Sequence, residues 1–194
     1  MKKILSGIII ISLFSAGCKK VITEVPYSFL TPQNFPTSAV EADAALLGCY
    51  ALIKGNRTWD YTGGLYMNSQ NDVTISNGSW SAFTGSSHGQ ESAWWRDYWK
   101  AINAANNLIF ALESRDATKD TWVPAKLAEA RAIRAFFYHG LACIYGDLPL
   151  RLKPTTETVL KVPRSPVQNI YDSIILPDIA FADGKLPITN TPSG

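Results

Sequence analysis

Cysteine, histidine and charge are all scarce in this chain, and each shortage excludes a class of site. The two histidines, His88 and His139, are too few and too scattered for a metal site, and no cofactor is expected. Charged residues make up 18% of the 194 residues, and removing residues 1–17 leaves equal numbers of acidic and basic side chains. A neutral chain without a basic cluster gives no electrostatic case for binding nucleic acid. No glycine-rich segment resembles a phosphate-binding loop.

The apolar stretch near the N-terminus, Ile4–Phe14, is too short to span a bilayer stably. It follows two lysines and precedes three small residues at positions 15–17, which is the pattern of a signal peptide over residues 1–17. Cys18 comes next, in the position that lipoprotein processing requires. We therefore predict cleavage before Cys18 and acylation of its thiol, so that a lipid attaches the mature chain to a membrane. An ordinary signal peptide with a chance cysteine is the alternative.

Aromatic residues are abundant, with six tryptophans and eight tyrosines. Residues 18–36 contain three prolines and no periodicity, which indicates an extended, lipidated tether. Residues 55–90 combine glycines, many polar side chains and several aromatic ones. A loop of this length inside a compact domain is usually functional or disordered. Its tryptophan and tyrosine content argues against disorder.

Four amphipathic helices are predicted from apolar residues spaced three and four apart. The first begins at a capping box, Ser38–Glu41, and ends at Gly55. The third is predicted over residues 124–145, and Gly146 stops it. The inward stripe of the first helix is predicted to be Val40, Ala44, Leu47 and Ala51. That of the second is predicted to be Trp95, Tyr98, Ile102, Ala105, Ile109 and Leu112.

The fourth helix is predicted to begin at Ser165 as its N-cap. Ile170, Ile174 and Ala180 are expected to face inward, and Pro177 is expected to kink the helix or split it near Ile174. Four such stripes are buried well by two stacked antiparallel helix pairs. The predicted fold class is therefore all-α, with a long aromatic loop between the first two helices.

Cys49 and Cys143 both fall in helical patterns. A disulfide between them requires Cα atoms within about 7 Å of each other. The favoured interpretation is two small buried apolar side chains.

The segment Glu129–Leu150 carries a specific motif, in which Glu-Ala-Arg is followed by Arg-Ala, an aromatic run and Tyr-Gly-Asp-Leu-Pro-Leu. It resembles the signature helix of the SusD/RagB family of nutrient-binding outer-membrane lipoproteins. The row from Trp95 to Asn106 resembles the preceding helix of that family, with Trp99 where tyrosine is usual. Residues 164–187 resemble the next family segment, in which Pro177 is a departure.

The resemblance implies a scaffold of tetratricopeptide-like helix pairs, with residues 37–194 as the N-terminal part of a longer domain. It implies a lipid-anchored protein on the outer face of the outer membrane that captures an oligosaccharide or peptide ligand. It also implies delivery of that ligand to a TonB-dependent, SusC-like transporter, and no catalytic residues.

The long loop provides the candidate ligand-binding residues. A glycan site needs flat aromatic rings for the apolar faces of sugars, and amides or carboxylates for their hydroxyl groups. Trp80 is the best candidate for an exposed ring, and Trp59 is the second. The remaining candidates are Tyr61, Asn71, Asp72 and Asn77. Turn formation explains the last three equally well.

Two other functions fit parts of the sequence. A glycoside hydrolase needs two carboxyl groups about 5–10 Å apart, and Asp60, Asp72 and Glu91 are available, although nothing fixes them as a pair. A helical-repeat scaffold that binds only protein is the other alternative.

Several charged and aromatic residues are expected to be structural. Glu129, Arg131 and Arg134 are predicted to fasten helices or their caps. The tryptophans at positions 94, 95 and 99 are predicted to pack between helices.

Overall fold

The computed structural model describes residues 35–55, 88–155 and 161–186, and this part of the chain is mostly helical. The elements are, in order, α1 (Ala39–Gly55), α2 (His88–Glu113), α3 (Val123–Tyr145), β1 (Leu148–Pro149), β2 (Arg164–Ser165), α4 (Val167–Ile170), a π-helical turn (Tyr171–Ile175) and α5 (Leu176–Asp183). None of the described helices has the length and apolar character needed to cross a membrane. The predicted all-α class is confirmed.

α1 begins at the predicted cap, but the carboxylate reaches one residue farther back than expected. Ser38 Oγ accepts a hydrogen bond from the Glu41 amide at 3.3 Å. Glu41 Oε2 accepts from the amide and hydroxyl of Thr37, at 2.6 and 2.8 Å. These bonds from Thr37 hold the pKa of the Glu41 carboxyl below its usual range. The side chains of Ser38 and Glu41 therefore both accept backbone amide hydrogen bonds at the start of α1.

The inward face of α1 is not the predicted one. All four residues of the predicted stripe are exposed: Val40, Ala44, Leu47 and Ala51. The buried stripe, which packs against α2 and α3, is Ala42, Leu46 and Cys49. Because α1 is apolar around most of its circumference, residue spacing fits both stripes equally well. Contact with the neighbouring helices selects one of them.

α2 and α3 form the centre of the described fold, and the predicted α2 seam is largely correct. Five of the six predicted α2 residues are buried, and Trp95 is partly buried. The helices approach closely at Gly140, where a Cβ atom would lie 2.6 Å from Cε1 of Tyr98. α3 ends at Gly146 as predicted, with φ of 66° and an amide that donates to the Ala142 carbonyl at 3.0 Å.

The predicted fourth helix consists of α4, the π-helical turn and α5 in direct succession. Pro177 lies in the first turn of α5, where a missing amide hydrogen is least costly. The predicted split near Ile174 thus takes the form of a π-helical turn rather than a break. Ile174 is buried as predicted, whereas Ala180 is exposed because the inward positions after the turn are Asp178 and Ala182.

The prediction that Ser165 caps this helix is wrong. Ser165 lies in β2, opposite Leu148 of β1 in an antiparallel pair. Strand pairing fixes its backbone, and the N-cap position falls to Pro166, which has no side-chain donor or acceptor. Asp147 takes over the capping role, because its Oδ1 accepts from the Val167 amide at 2.9 Å.

Both described cysteines are free thiols. Cys49 is buried, as expected for a small apolar side chain, and burial raises the pKa of its thiol to about 11. Cys143 is exposed, so the expectation of burial is wrong for this residue. It lies on the outer side of α3, away from the seam that contacts α2.

Candidate functional site

The predicted lipidation site and the predicted ligand-binding residues all lie outside the described residues. These are the lipidation candidate Cys18 and the loop candidates Trp59, Tyr61, Asn71, Asp72, Asn77 and Trp80. They remain predictions.

The described residues form a cleft of about 510 Å³ between α2 and the extended segment 149–155, and we call it the α2 cleft. α2 contributes two tryptophans, two basic residues and an amide: Trp95, Trp99, Arg96, Lys100 and Asn103. The extended segment contributes Arg151, Lys153 and Thr155. The cleft therefore combines an aromatic wall with a polar one.

Two rows of residues in the sequence correspond to the two walls of this cleft. Trp95, Trp99 and Asn103 are spaced by four, which places them on one face of a helix. Arg151, Lys153 and Thr155 are spaced by two, which places them on one side of an extended chain. Neither row indicates by itself that the two faces meet.

A buried hydrogen-bond network holds the extended segment against the helices. Asn106 Nδ2 donates to the carbonyls of Arg151 and Lys153, at 3.1 and 3.4 Å. The Tyr138 hydroxyl donates to the Arg151 carbonyl at 2.9 Å and accepts from the Arg151 amide at 3.0 Å. Burial raises the pKa of the Tyr138 hydroxyl above its usual range, so it stays protonated and can donate. The backbone of the polar wall is thus fixed from beneath.

An ion pair between α3 and α5 anchors this network. Arg134 Nε and Nη2 donate to the two carboxylate oxygens of Asp178 at 2.7 and 2.9 Å. Arg134 Nη1 donates to Asn106 Oδ1 at 2.9 Å. Arg134 and Asp178 are only 5% and 2% exposed, so the pair is bidentate and nearly dry.

The other charged residues of the signature motif also connect helices. Glu129 Oε1 accepts from the Tyr50 hydroxyl of α1 at 2.8 Å. Arg131 pairs with Glu113 at the end of α2. The predicted fastening role of Glu129, Arg131 and Arg134 is therefore confirmed.

The aromatic wall is built from rings in edge-to-face contact. The ring centroids of Trp95 and Trp99 are 5.6 Å apart, and those of Trp99 and Tyr138 are also 5.6 Å apart. Trp95 additionally meets Tyr145 at 5.1 Å. The predicted packing between helices is confirmed for Trp95 and Trp99, which also line the cleft. Trp94 is buried, and its ring contacts Tyr98 of the same helix. The Trp99 indole N–H is buried and has no acceptor among the described residues.

The charge of the α2 cleft is positive. Among the described residues that line it, four are basic and none is acidic. Asp97 Oδ1 lies 3.1 Å from Arg96 Nε and 3.5 Å from Lys100 Nζ. Asp97 is buried, whereas the Arg96 and Lys100 side chains are 62% and 59% exposed. One carboxylate thus orients two exposed cations.

A second concave surface, the α5 groove, has about 660 Å³ and a different character. It is lined mainly by apolar side chains of α3 and α5, including Phe136, Leu176 and Ile179. Its polar members include His139 and Tyr171, joined by a hydrogen bond of 2.9 Å. Nowhere in the described residues do three His, Cys, Asp or Glu side chains gather as they would around a metal ion.

Comparison with known proteins identifies relatives over most of the chain. SusD-like protein P2 from Formosa agariphila is 29% identical over 203 aligned positions, which cover 97% of this chain and 39% of that protein. A SusD homologue from Bacteroides thetaiotaomicron superposes with a TM-score of 0.70 at 22% identity, over 88% of this chain and 33% of that one. A laminarin-binding SusD-like protein superposes with a TM-score of 0.66 at 22% identity, over 82% of this chain and 37% of that one.

The chain therefore spans well under half the length of these relatives. The superpositions show that this chain has the helical fold of SusD superfamily proteins. Residues 39–190 match the SusD-like family described as starch-binding and associating with the outer membrane. On this evidence the chain belongs to the SusD-like family.

Proposed function

We propose that the protein to which this chain belongs is a surface lipoprotein of the outer membrane that binds glycan and passes it to a TonB-dependent transporter. The observation that carries the proposal is the family match over residues 39–190. The α2 cleft supports it, because it places tryptophan rings beside amide, hydroxyl and basic groups. Sugars offer both apolar faces and hydroxyl groups, and these two kinds of wall complement them.

The protein is proposed to bind its glycan without cleaving it. No pair of carboxylates lines the described cleft, whereas glycoside hydrolysis uses two. Binding depends on rings and hydrogen-bond partners, and release to a transporter requires the glycan to remain intact. The loop candidates, with Trp80 first and Trp59 second, are proposed to add aromatic contacts to this binding.

The binding proposal is tested by native electrophoresis in gels containing laminarin or starch. We expect the full chain to migrate more slowly in at least one of these gels, and Trp80→Ala with Trp59→Ala to restore most of its mobility. Phe136→Ala is the matched control, because it removes an exposed ring from the α5 groove. Unchanged mobility in both gels would contradict neutral-glycan binding, and shortening of the polysaccharide would favour a hydrolase.

The attachment proposal rests on residues 1–18. Acylation of Cys18 is proposed to hold the mature chain at the membrane, with residues 18–36 as a tether. A Cys18→Ala variant is expected to appear in the soluble fraction with an unchanged far-ultraviolet circular dichroism spectrum. Retention of this variant in the membrane fraction would show that the thiol is not the point of attachment.

A further inference from the structure

The α2 cleft carries a charge that neutral-glycan binding does not require. Arg96 and Lys100 line it from α2, and Arg151 and Lys153 line it from the extended segment. Asp97 offsets one of these charges, and no lining residue among those described is acidic. Cations therefore approach a single space from two opposing walls.

Buried groups hold the two walls that carry these cations. Asn106 and Tyr138 fix the backbone at Arg151 and Lys153, and the Arg134–Asp178 pair fixes Asn106 in turn. On the opposite wall, buried Asp97 orients Arg96 and Lys100. A fixed backbone lowers the ordering cost of bringing positive charges to a ligand. Both walls are thus fixed, and the cationic side chains extend from them into partly exposed positions.

The cleft also offers more donors than acceptors. Asn103 Oδ1 is already occupied, because it accepts from the amide and hydroxyl of Thr155 at 3.0 and 2.6 Å. The basic side chains of both walls are donors only. A neutral sugar hydroxyl both donates and accepts, whereas a carboxylate or sulfate only accepts. The walls therefore suit an anionic group better than a neutral one.

We infer that the α2 cleft binds an acidic oligosaccharide, one that carries uronate carboxylates or sulfate esters. Arg96 Nε is bonded to Asp97, which leaves its two terminal guanidinium nitrogens as donors to such a group, and the ammonium groups of Lys100 and Lys153 add positive charge. Trp95 and Trp99 provide apolar surface for the sugar ring that bears it. This inference rests on the proposed glycan-binding function and narrows its ligand class.

The test uses matched ligands that differ only in charge. The full chain in detergent is titrated calorimetrically with an oligogalacturonate and its methyl ester, and with a sulfated galactan oligomer and its desulfated form. We expect the anionic member of at least one pair to bind at least about tenfold more tightly than its neutral partner. The pair that shows the difference distinguishes a uronate from a sulfate. Raising the salt from about 0.05 to 0.5 M should weaken that binding, because the cations are partly exposed.

Variants locate the binding. Arg151→Met and Lys153→Met are each expected to weaken anionic binding at least about tenfold. Lys119→Met is the control, since it removes one charge from an exposed loop outside the cleft. Lys153 is itself exposed, so its variant keeps the test valid if Arg151→Met unfolds, which a thermal melt detects.

Three outcomes would overturn the inference. Equal affinity for charged and neutral members would refute it while leaving glycan binding intact. Charge-dependent binding that neither cleft variant weakens would also refute it, since the charge would act elsewhere. Failure of all four sugars, laminarin and starch to bind would refute both this inference and the proposed function.

Discussion

The α2 cleft and the α5 groove are two concave surfaces of similar size whose chemistry differs. The cleft has a basic, donor-rich wall whose backbone is fixed by Asn106, Tyr138 and the Arg134–Asp178 pair. The groove is lined mainly by apolar groups, and Leu176 and Ile179 are 53% and 51% exposed. Size alone therefore does not distinguish a binding site. A fixed set of polar groups makes the cleft the better candidate for selective recognition.

The largest expected difference between the two surfaces concerns stability. Arg134→Met removes the bidentate partner of buried Asp178 and leaves only Arg131 Nε, at 4.0 Å, beside that carboxylate, so unfolding should become easier by about 3–5 kcal/mol. Leu176→Ala in the groove should change the unfolding free energy by less than about 1 kcal/mol, because the side chain is half exposed. Urea titrations of both variants measure this.

A double variant serves as the control for the ion pair. Arg134→Met with Asp178→Leu removes both charges, and it should recover much of the stability lost in the single variant. If Arg134→Met costs less than about 1 kcal/mol, the network does not hold the cleft as described.

A smaller difference is expected for two tyrosine hydroxyls. Tyr138→Phe leaves the partly buried Arg151 amide without its acceptor, and it should cost about 1–3 kcal/mol. Tyr171→Phe breaks an exposed bond to His139 and should change the unfolding free energy by less than about 0.5 kcal/mol. Hydrogen exchange at the Arg151 amide gives a local readout, and it should accelerate only in Tyr138→Phe. If the two substitutions lower the unfolding free energy equally, the backbone of the α2 cleft is not held more firmly than that of the α5 groove.

The smallest effect concerns the two thiols and depends on pH. Burial raises the pKa of Cys49 to about 11 in the folded chain. The neutral thiol therefore contributes fully to the stability of the fold at pH values below its pKa in the unfolded chain. That contribution is lost as the pH rises from about 9 towards 11, which amounts to about 1 kcal/mol at pH 9.5. The measurement is the pH dependence of urea unfolding for Cys49→Val, which should be flatter than that of the parent in this window. Cys143→Ala, which removes an exposed thiol, is the control. Identical curves for Cys49→Val and the parent would contradict the buried thiol.

Regular spacing predicted the helical elements well. The α2 seam, the end of α3 at Gly146 and the fastening role of Arg134 follow from residue patterns that admit one solution. Residue spacing does not determine the inward face of α1, because a helix that is apolar around most of its circumference has no preferred side until it packs against other helices. Ala180 and Ser165 were misplaced because a π-helical turn and a two-residue strand pairing alter the register, and both depend on contacts distant in sequence.

The candidate site shows the same division. The rows at positions 95, 99 and 103 and at 151, 153 and 155 are visible in the sequence, yet nothing in their spacing indicates that they face each other. Bringing them together requires Asn106 and Tyr138 to bond a segment about 13 to 47 residues away.

The sequence by itself determined the class of the fold, the family and the positions of three long helices, because local periodicity and capping act over a few residues. Only the tertiary structure decided which face of α1 is buried, how Pro177 is accommodated and that four cations line one cleft. The physical reason is that burial and charge convergence are properties of surfaces in contact, and such contacts join residues that are far apart in the chain.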